Sequence, residues 1–227
     1  MSGAPEVTAL VPMRHSSERV PGKNYRMFGD APLFHHIVRT LLACPEVVEV
    51  VIDTDSDLIA EQAATTFPTV RVIERPAELL GGDVPMNAII AHDARILADR
   101  PVLLQTHSTN PLLAASTIRS AVAAFAAAGP VHDSLFSVTR LQTRLWTAEG
   151  RPLNHDPAVL LRTQDLPPVF EENSCLYVFP RELVLETGSR LGARPLMFEV
   201  DATEAVDIDE ESDFLIAEAL WRIGSAR

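Results

Sequence analysis

The chain has 227 residues, 47% of them hydrophobic and 22% charged, enough to bury a core without disulfide or metal staples and too apolar for extended disorder. Nineteen bases against 31 acids give a net charge of −12, which argues against an electrostatic nucleic-acid binder. No apolar run is long enough to cross a bilayer, the first residues lack the pattern of a secretion signal, and Cys44 and Cys175 form no CxxC pair. A soluble cytoplasmic protein is expected.

Hydrophobic periodicity predicts alternating strands and helices. Val7–Pro12 reads as a buried strand, followed by a polar loop from Met13 to Asn24. Leu33–Cys44 has helical spacing, and Val47–Ile52 is a second strand ending in Asp53-Thr54-Asp55. Ser56 or Asp57 can cap a helix to about residue 66, and Val70–Ile73 is a short strand. Asp83 is the expected N-cap of a helix reaching about residue 98, with Pro85 in its first turn. Then come a strand at Val102–Gln105, a helix at Ser116–Ala127 and a strand at Ser134–Val138. The stretch 140–172 is proline-broken and lacks a clear period. Strands at Ser174–Phe179 and Leu196–Val200 and a helix at Asp209–Arg222 complete the chain. This order predicts one α/β domain over residues 1–227: a mostly parallel sheet with helices on both faces, and an excursion at 140–172.

Ligands of such sheets bind beyond the C-terminal strand ends. The loop after the first strand carries Arg14, Arg19 and Lys23 among hydroxyls, yet matches neither a dinucleotide nor a Walker phosphate motif. Lys23 is the one lysine among the 19 bases, and a compact ammonium suits phosphate oxygens. A solvated basic loop is the bland alternative. Asp207 and Asp209 alternate in an extended segment, so both can face one divalent cation, or they can complement a helix dipole.

Arg14-x-x-Ser17-x-x-x-Pro21-Gly22-Lys23-Asn24 resembles the nucleotide loop of the CMP-sugar synthetases, the cytidylyltransferases of N-acetylneuraminate, KDO and related acid sugars. The likeness continues through Gly29-Asp-Ala-Pro-Leu33, Thr54-Asp55, Arg75-Pro76-x-Glu78-Leu79, Asn173-Ser-Cys-Leu-Tyr177 and Asp207-Ile-Asp209-x-x-x-Asp213. It implies a Rossmann-like nucleotidyltransferase fold that joins CMP from CTP to a sialic-acid-like 2-keto sugar and releases pyrophosphate. Arg14, Ser17, Arg19, Lys23, Asn24, Arg75 and Asn87 would hold the nucleotide, with Lys23, Arg14 and Asp209 closest to the chemistry. Gln105, Asn173 and Tyr177 would meet the sugar, and Asp207 and Asp209 would bind Mg²⁺. A homodimer joined through residues 140–172 is implied as well.

The chain also departs from that pattern. Glu18 stands where many members carry a base, and the segment from Gln105 to Leu113 is longer and lacks a final arginine. Glu171-Glu172 precede Asn173 where sialate enzymes often carry arginine and proline. Two other functions share these residues: a catalytically silent nucleotide-binding relative, and an NTP transferase for a different sugar.

Overall fold

In the computed structural model, which describes residues 5–225, seven strands form one sheet. Its parallel half comprises β1 (Val7–Met13), β4 (Val47–Thr54), β5 (Arg71–Glu74) and β6 (Val102–Thr106). The rest is β7 (Ser134–Leu141), β8 (Val169–Pro180) and β9 (Pro195–Glu199), and the full order is β5-β4-β1-β6-β8-β7-β9. Only β8 runs against its neighbours, pairing antiparallel with β6 and β7, so the expected mostly parallel sheet is observed. A two-residue hairpin, β2 (Met27–Phe28) and β3 (Ala31–Pro32), stands apart.

β1 lies centrally and is buried along its whole length, with alternate side chains feeding opposite faces. Val7, Ala9 and Val11 pack with α1 (Leu33–Leu42), α2 (Asp57–Thr66) and α4 (Ala115–Ala128). Leu10 faces the other way, towards α3 (Met86–Ile96) and α5 (Arg181–Thr187). The final helix, α6 (Glu211–Ser225), buries Phe214 and Ala217 against Val20, Phe28 and Leu33.

Several boundaries differ from the sequence reading, each for a local reason. The expected Asp83 cap does not form: α3 begins at Met86 behind Pro85, with no side-chain cap. Ser56 does cap α2, its hydroxyl accepting from the Ile59 amide at 3.3 Å. The last helix begins at Glu211 because the Asp213 carboxylate accepts from the amides of Asp209 and Glu210 at 3.1 and 2.7 Å, fixing them as its entry. The ends of the 140–172 excursion are strand, since Val169–Glu172 pair with Val138–Leu141 and leave 142–168 as the irregular arm. Helix α5 was hidden by its shortness.

At the C-terminal ends of β1, β4 and β5, Asp53 and Arg75 form a fully buried pair at 2.5 Å. Arg75 also donates to the carbonyls of Met13 and Asp53, at 3.1 and 3.2 Å. Asp93 of α3 is buried beside them. Burial first, and the charge of Asp53 second, push the Asp93 carboxyl up to about 9. Neither Asp93 oxygen nor Oδ2 of Asp53 has another partner, and one proton shared between the carboxyls satisfies both.

An unfolded aspartate titrates near ~3.9, so from there up to its folded pKa only the folded chain holds this proton. The contribution of Asp93 is therefore complete in acid and lost as pH rises towards 9. Asp93→Asn, neutral throughout and still a donor, should gain in melting temperature over the wild type between pH 5 and pH 8.5. A pH-independent gap in melting temperature would contradict the shared proton.

Candidate active site

The sheet order reverses direction between β1 and β6, so their C-terminal ends bound a crevice. Buried polar residues concentrate there: Asn24, Thr54, Ser56, Gln105, Thr106, Ser108 and Asn110. Asn24 bridges the two loops, donating to the Arg14 carbonyl at 2.8 Å and accepting from the Ser108 hydroxyl at 2.7 Å. Gly22, at φ 66°, turns the chain so that Lys23 enters a short 3₁₀ turn pointing into the crevice.

A cavity of about 640 Å³ opens here, and Arg14, Ser17, Arg19, Lys23, Asn24 and His107 line it. Five of the seven expected nucleotide residues are therefore brought together. Arg14 reaches across to the carbonyls of Gly82 and Val84 at 3.3 and 3.4 Å. Lys23 is less free than a loop lysine: only 12% of its side chain is exposed, and Nζ donates to the Ile208 carbonyl and lies 3.6 Å from Asp209. Glu18, Asp55 and Asp83 line the same space, so the basic island is partly offset.

The other two expected nucleotide residues are placed differently. Arg75 is spent on Asp53 and on main-chain carbonyls, which makes it a strut beneath the crevice rather than a free contact. The Asn87 side chain accepts from the amide of Arg190 at 3.4 Å, holding the loop after α5 against the start of α3.

Asp207 and Asp209 arrive from the far end of the chain. Ile208 is buried between them, and its amide donates to Thr109 at 3.0 Å, so the two carboxylates emerge on the opposite side. With Thr139, Glu172, Asn173 and Ser174 they line a second cavity of about 370 Å³. Asp209 also pairs with Arg19 at 2.9 Å, so it stands between the two spaces. Asp207 is half-buried, and this desolvation raises its pKa against the pull of Thr109 and Lys23; its Oδ1 is sealed and has no hydrogen-bond partner.

The expected sugar residues prove to be support rather than open surface. Gln105 and Tyr177 are wholly buried. The Gln105 amide donates to the Thr106 carbonyl and to Nε2 of His107 at 3.1 and 3.0 Å, and its oxygen accepts from Arg190 at 2.5 Å. Arg190 stacks on the Tyr177 ring at 3.7 Å, and the Tyr177 hydroxyl donates to Glu172 at 2.5 Å. Asn173 reaches the second cavity but commits its oxygen to the Ser137 hydroxyl at 2.6 Å and its nitrogen to Thr139 at 2.9 Å. These bonds hold a bulge at Ser174, which adopts a left-handed φ of 58°.

Sequence reasoning missed Arg190, because no motif flags an arginine in the loop after a short helix. His107 lies between Arg190 and Lys23. Burial, then those two cations, pull its imidazole down to about 4, so it is neutral near pH 7. A more apolar cavity of about 460 Å³ lies away from these groups, between α1 and α6, lined by His36, Leu112 and Trp221.

The profile of the cytidylyltransferase family matches residues 8–217. The chain belongs to that family. N-acylneuraminate cytidylyltransferase A of Danio rerio is 27% identical over 219 residues, covering 93% of this chain and 50% of the fish protein. The chain thus spans about half the length of that relative and of its Oncorhynchus mykiss counterpart. CMP-N,N'-diacetyllegionaminic acid synthase of Legionella pneumophila is 27% identical and is matched over 97% of its length. Among solved structures, a CMP:2-keto-3-deoxy-manno-octonic acid synthetase complexed with CTP superimposes with a TM-score of 0.73 over 96% of this chain and 99% of that one. At 16% identity, that likeness establishes the nucleotidyltransferase fold.

Proposed function

We propose that this cytidylyltransferase joins CMP from CTP to an acidic, sialic-acid-like sugar with release of pyrophosphate. The observation that carries the reading is the junction itself: three cations, Arg14, Arg19 and Lys23, around one cavity, and Asp209 standing between it and a second one. The names of the zebrafish and Legionella relatives, both for enzymes of nonulosonate sugars, support the substrate class.

In the reaction the anomeric oxygen of the sugar bonds to the α-phosphorus of CTP. The bond to the β-phosphate bridging oxygen breaks, pyrophosphate departs and the hydroxyl proton leaves to solvent. Such transfers need positioning and charge neutralisation more than covalent help. Lys23 exchanges its Ile208 and Asp209 contacts for phosphate oxygens and stabilises the leaving group, while Arg14 and Arg19 hold the remaining charge. Neutral His107, held by the buried Gln105 amide, lines the larger cavity without adding a charge.

Asp207 and Asp209 fit Mg²⁺. They are hard oxygen donors, and the unpartnered, buried Oδ1 of Asp207 wants a cation. Two carboxylates suffice for an ion that completes its shell with phosphates and water. Bound there, Mg²⁺ would neutralise phosphate charge at the reacting centre.

Pyrophosphate release should occur with CTP and not with ATP, GTP or UTP, across a panel that includes N-acetylneuraminate, and chelation should abolish it. Lys23→Met should lower turnover by roughly 10²-fold or more while the protein stays folded. Near-normal turnover in the folded variant would remove Lys23 from the chemistry, and release with no sugar–nucleotide pair would favour a silent nucleotide-binding relative.

The arm of residues 142–168 supports a homodimer as the working form. Leu160 is 89% exposed, and Leu153, Val159 and Trp146 are each more than half exposed, an apolar surface unusual for a free monomer. Dependence on CTP supports a cytoplasmic setting for the enzyme. Sedimentation should show a wild-type dimer and a monomeric Trp146→Glu variant, because a charge buried without a partner opposes association. A monomeric wild type would contradict the assembly.

A further inference from the structure

Arg190 is a half-buried cation that makes no ion pair among the described residues. A guanidinium taken from water without a carboxylate partner is unfavourable, and burial does lower its pKa, with Tyr177 and Glu172 opposing the shift. Yet the fold builds a seat for it. The Tyr177 ring fixes the guanidinium plane from 3.7 Å, the Gln105 oxygen takes one N–H at 2.5 Å, and Asn87 holds the backbone amide. Among the described residues no side-chain carboxylate bonds the other guanidinium nitrogens, and none of them is sealed from solvent without a partner.

The seat lines neither cavity but lies one side chain away from each. Through Gln105, Arg190 is one side chain from His107, which lines the larger cavity. Through Tyr177 it is one side chain from Glu172, which lines the smaller. That smaller cavity is otherwise acidic, with Glu171, Glu172, Asp207 and Asp209 on its wall. An anionic acceptor approaching it needs a cation. Lys23 and Arg19 face the other cavity and are engaged by Asp209, and Glu172 is itself occupied by the Tyr177 hydroxyl.

We infer that Arg190 is the specificity-determining residue that receives the carboxylate of the acid sugar, with Gln105 and Tyr177 as the positioning residues that hold its guanidinium. The inference rests on the proposed function. A guanidinium held by stacking on its face and by one bond at its edge keeps the fork geometry that matches a carboxylate. Gln105 and Tyr177, which offer no open surface of their own, thereby act on the sugar through Arg190.

The test uses the full chain with N-acetylneuraminate and its methyl ester as probes. Calorimetric binding should favour the acid over the ester in the wild type, and Arg190→Gln should erase that preference. Where turnover is measured, Arg190→Gln should raise KM for the acid sugar about 10-fold to 100-fold, the worth of a charge-assisted hydrogen bond, and leave KM for CTP unchanged. Arg190→Lys should restore part of the loss, and an unchanged melting temperature separates this effect from unfolding. A wild type with no preference for acid over ester, or an Arg190→Gln variant that keeps it, overturns the inference. Loss of CTP binding by the wild type would strike instead at the proposed function.

Discussion

The architecture of the crevice depends on one buried ion pair. Asp53 ends β4, Arg75 follows β5, and the guanidinium also binds the carbonyl at the end of β1, so a single side chain ties three strand ends together. Removing either charge would leave the other buried without a partner, a change that typically destabilises by about 3–5 kcal/mol. Asp93 joins this pair as a protonated carboxyl, which carries the same frame onto α3. From the other end of α3, Asn87 clamps the loop of Arg190. The frame and the loop of Arg190 are therefore joined by one helix.

The polar groups around the crevice differ in how far the chain itself satisfies them. Arg75, Asn24, Asn173 and Ser56 find partners within the chain and act as struts. Asp207 and Arg190 do not find theirs in full: one has a bare buried oxygen, the other a charge without a counter-ion. Lys23 is intermediate, parked on a carbonyl and near Asp209, contacts that an incoming phosphate can replace. Thr8, His35, Gln62 and His155 also keep a buried polar atom without a partner, so it is the position of Asp207 and Arg190 near the crevice, added to their incomplete satisfaction, that suits them to a ligand.

Most of the fold was legible because its signals are periodic. The continuous apolar runs of β1, β4 and β6 and the helical spacing of α1 announce a parallel sheet before any contact is known. The gathering of Arg14 through Asn24 at one cavity was legible too, since these residues are contiguous and share one loop. The setting of Arg190 was not. Arg190 meets Gln105 and Tyr177 across separations of 85 and 13 residues, and nothing in the local sequence marks it. The motifs of Gln105 and Tyr177 are visible in the sequence, whereas their burial follows from tertiary packing between β6 and β8. The engagement of Arg75 is hidden for the same reason: its motif is local, but its partner Asp53 lies on the neighbouring strand.

The central claim is that nucleotide and sugar meet where Lys23 and Asp209 separate the two cavities. A crystal structure of the full chain with CTP tests it most directly. The triphosphate should lie among Arg14, Ser17 and Lys23, with the α-phosphorus turned towards Asp209 and the smaller cavity. A triphosphate bound in the apolar cavity between α1 and α6, or one whose α-phosphorus points away from Asp209, would contradict it.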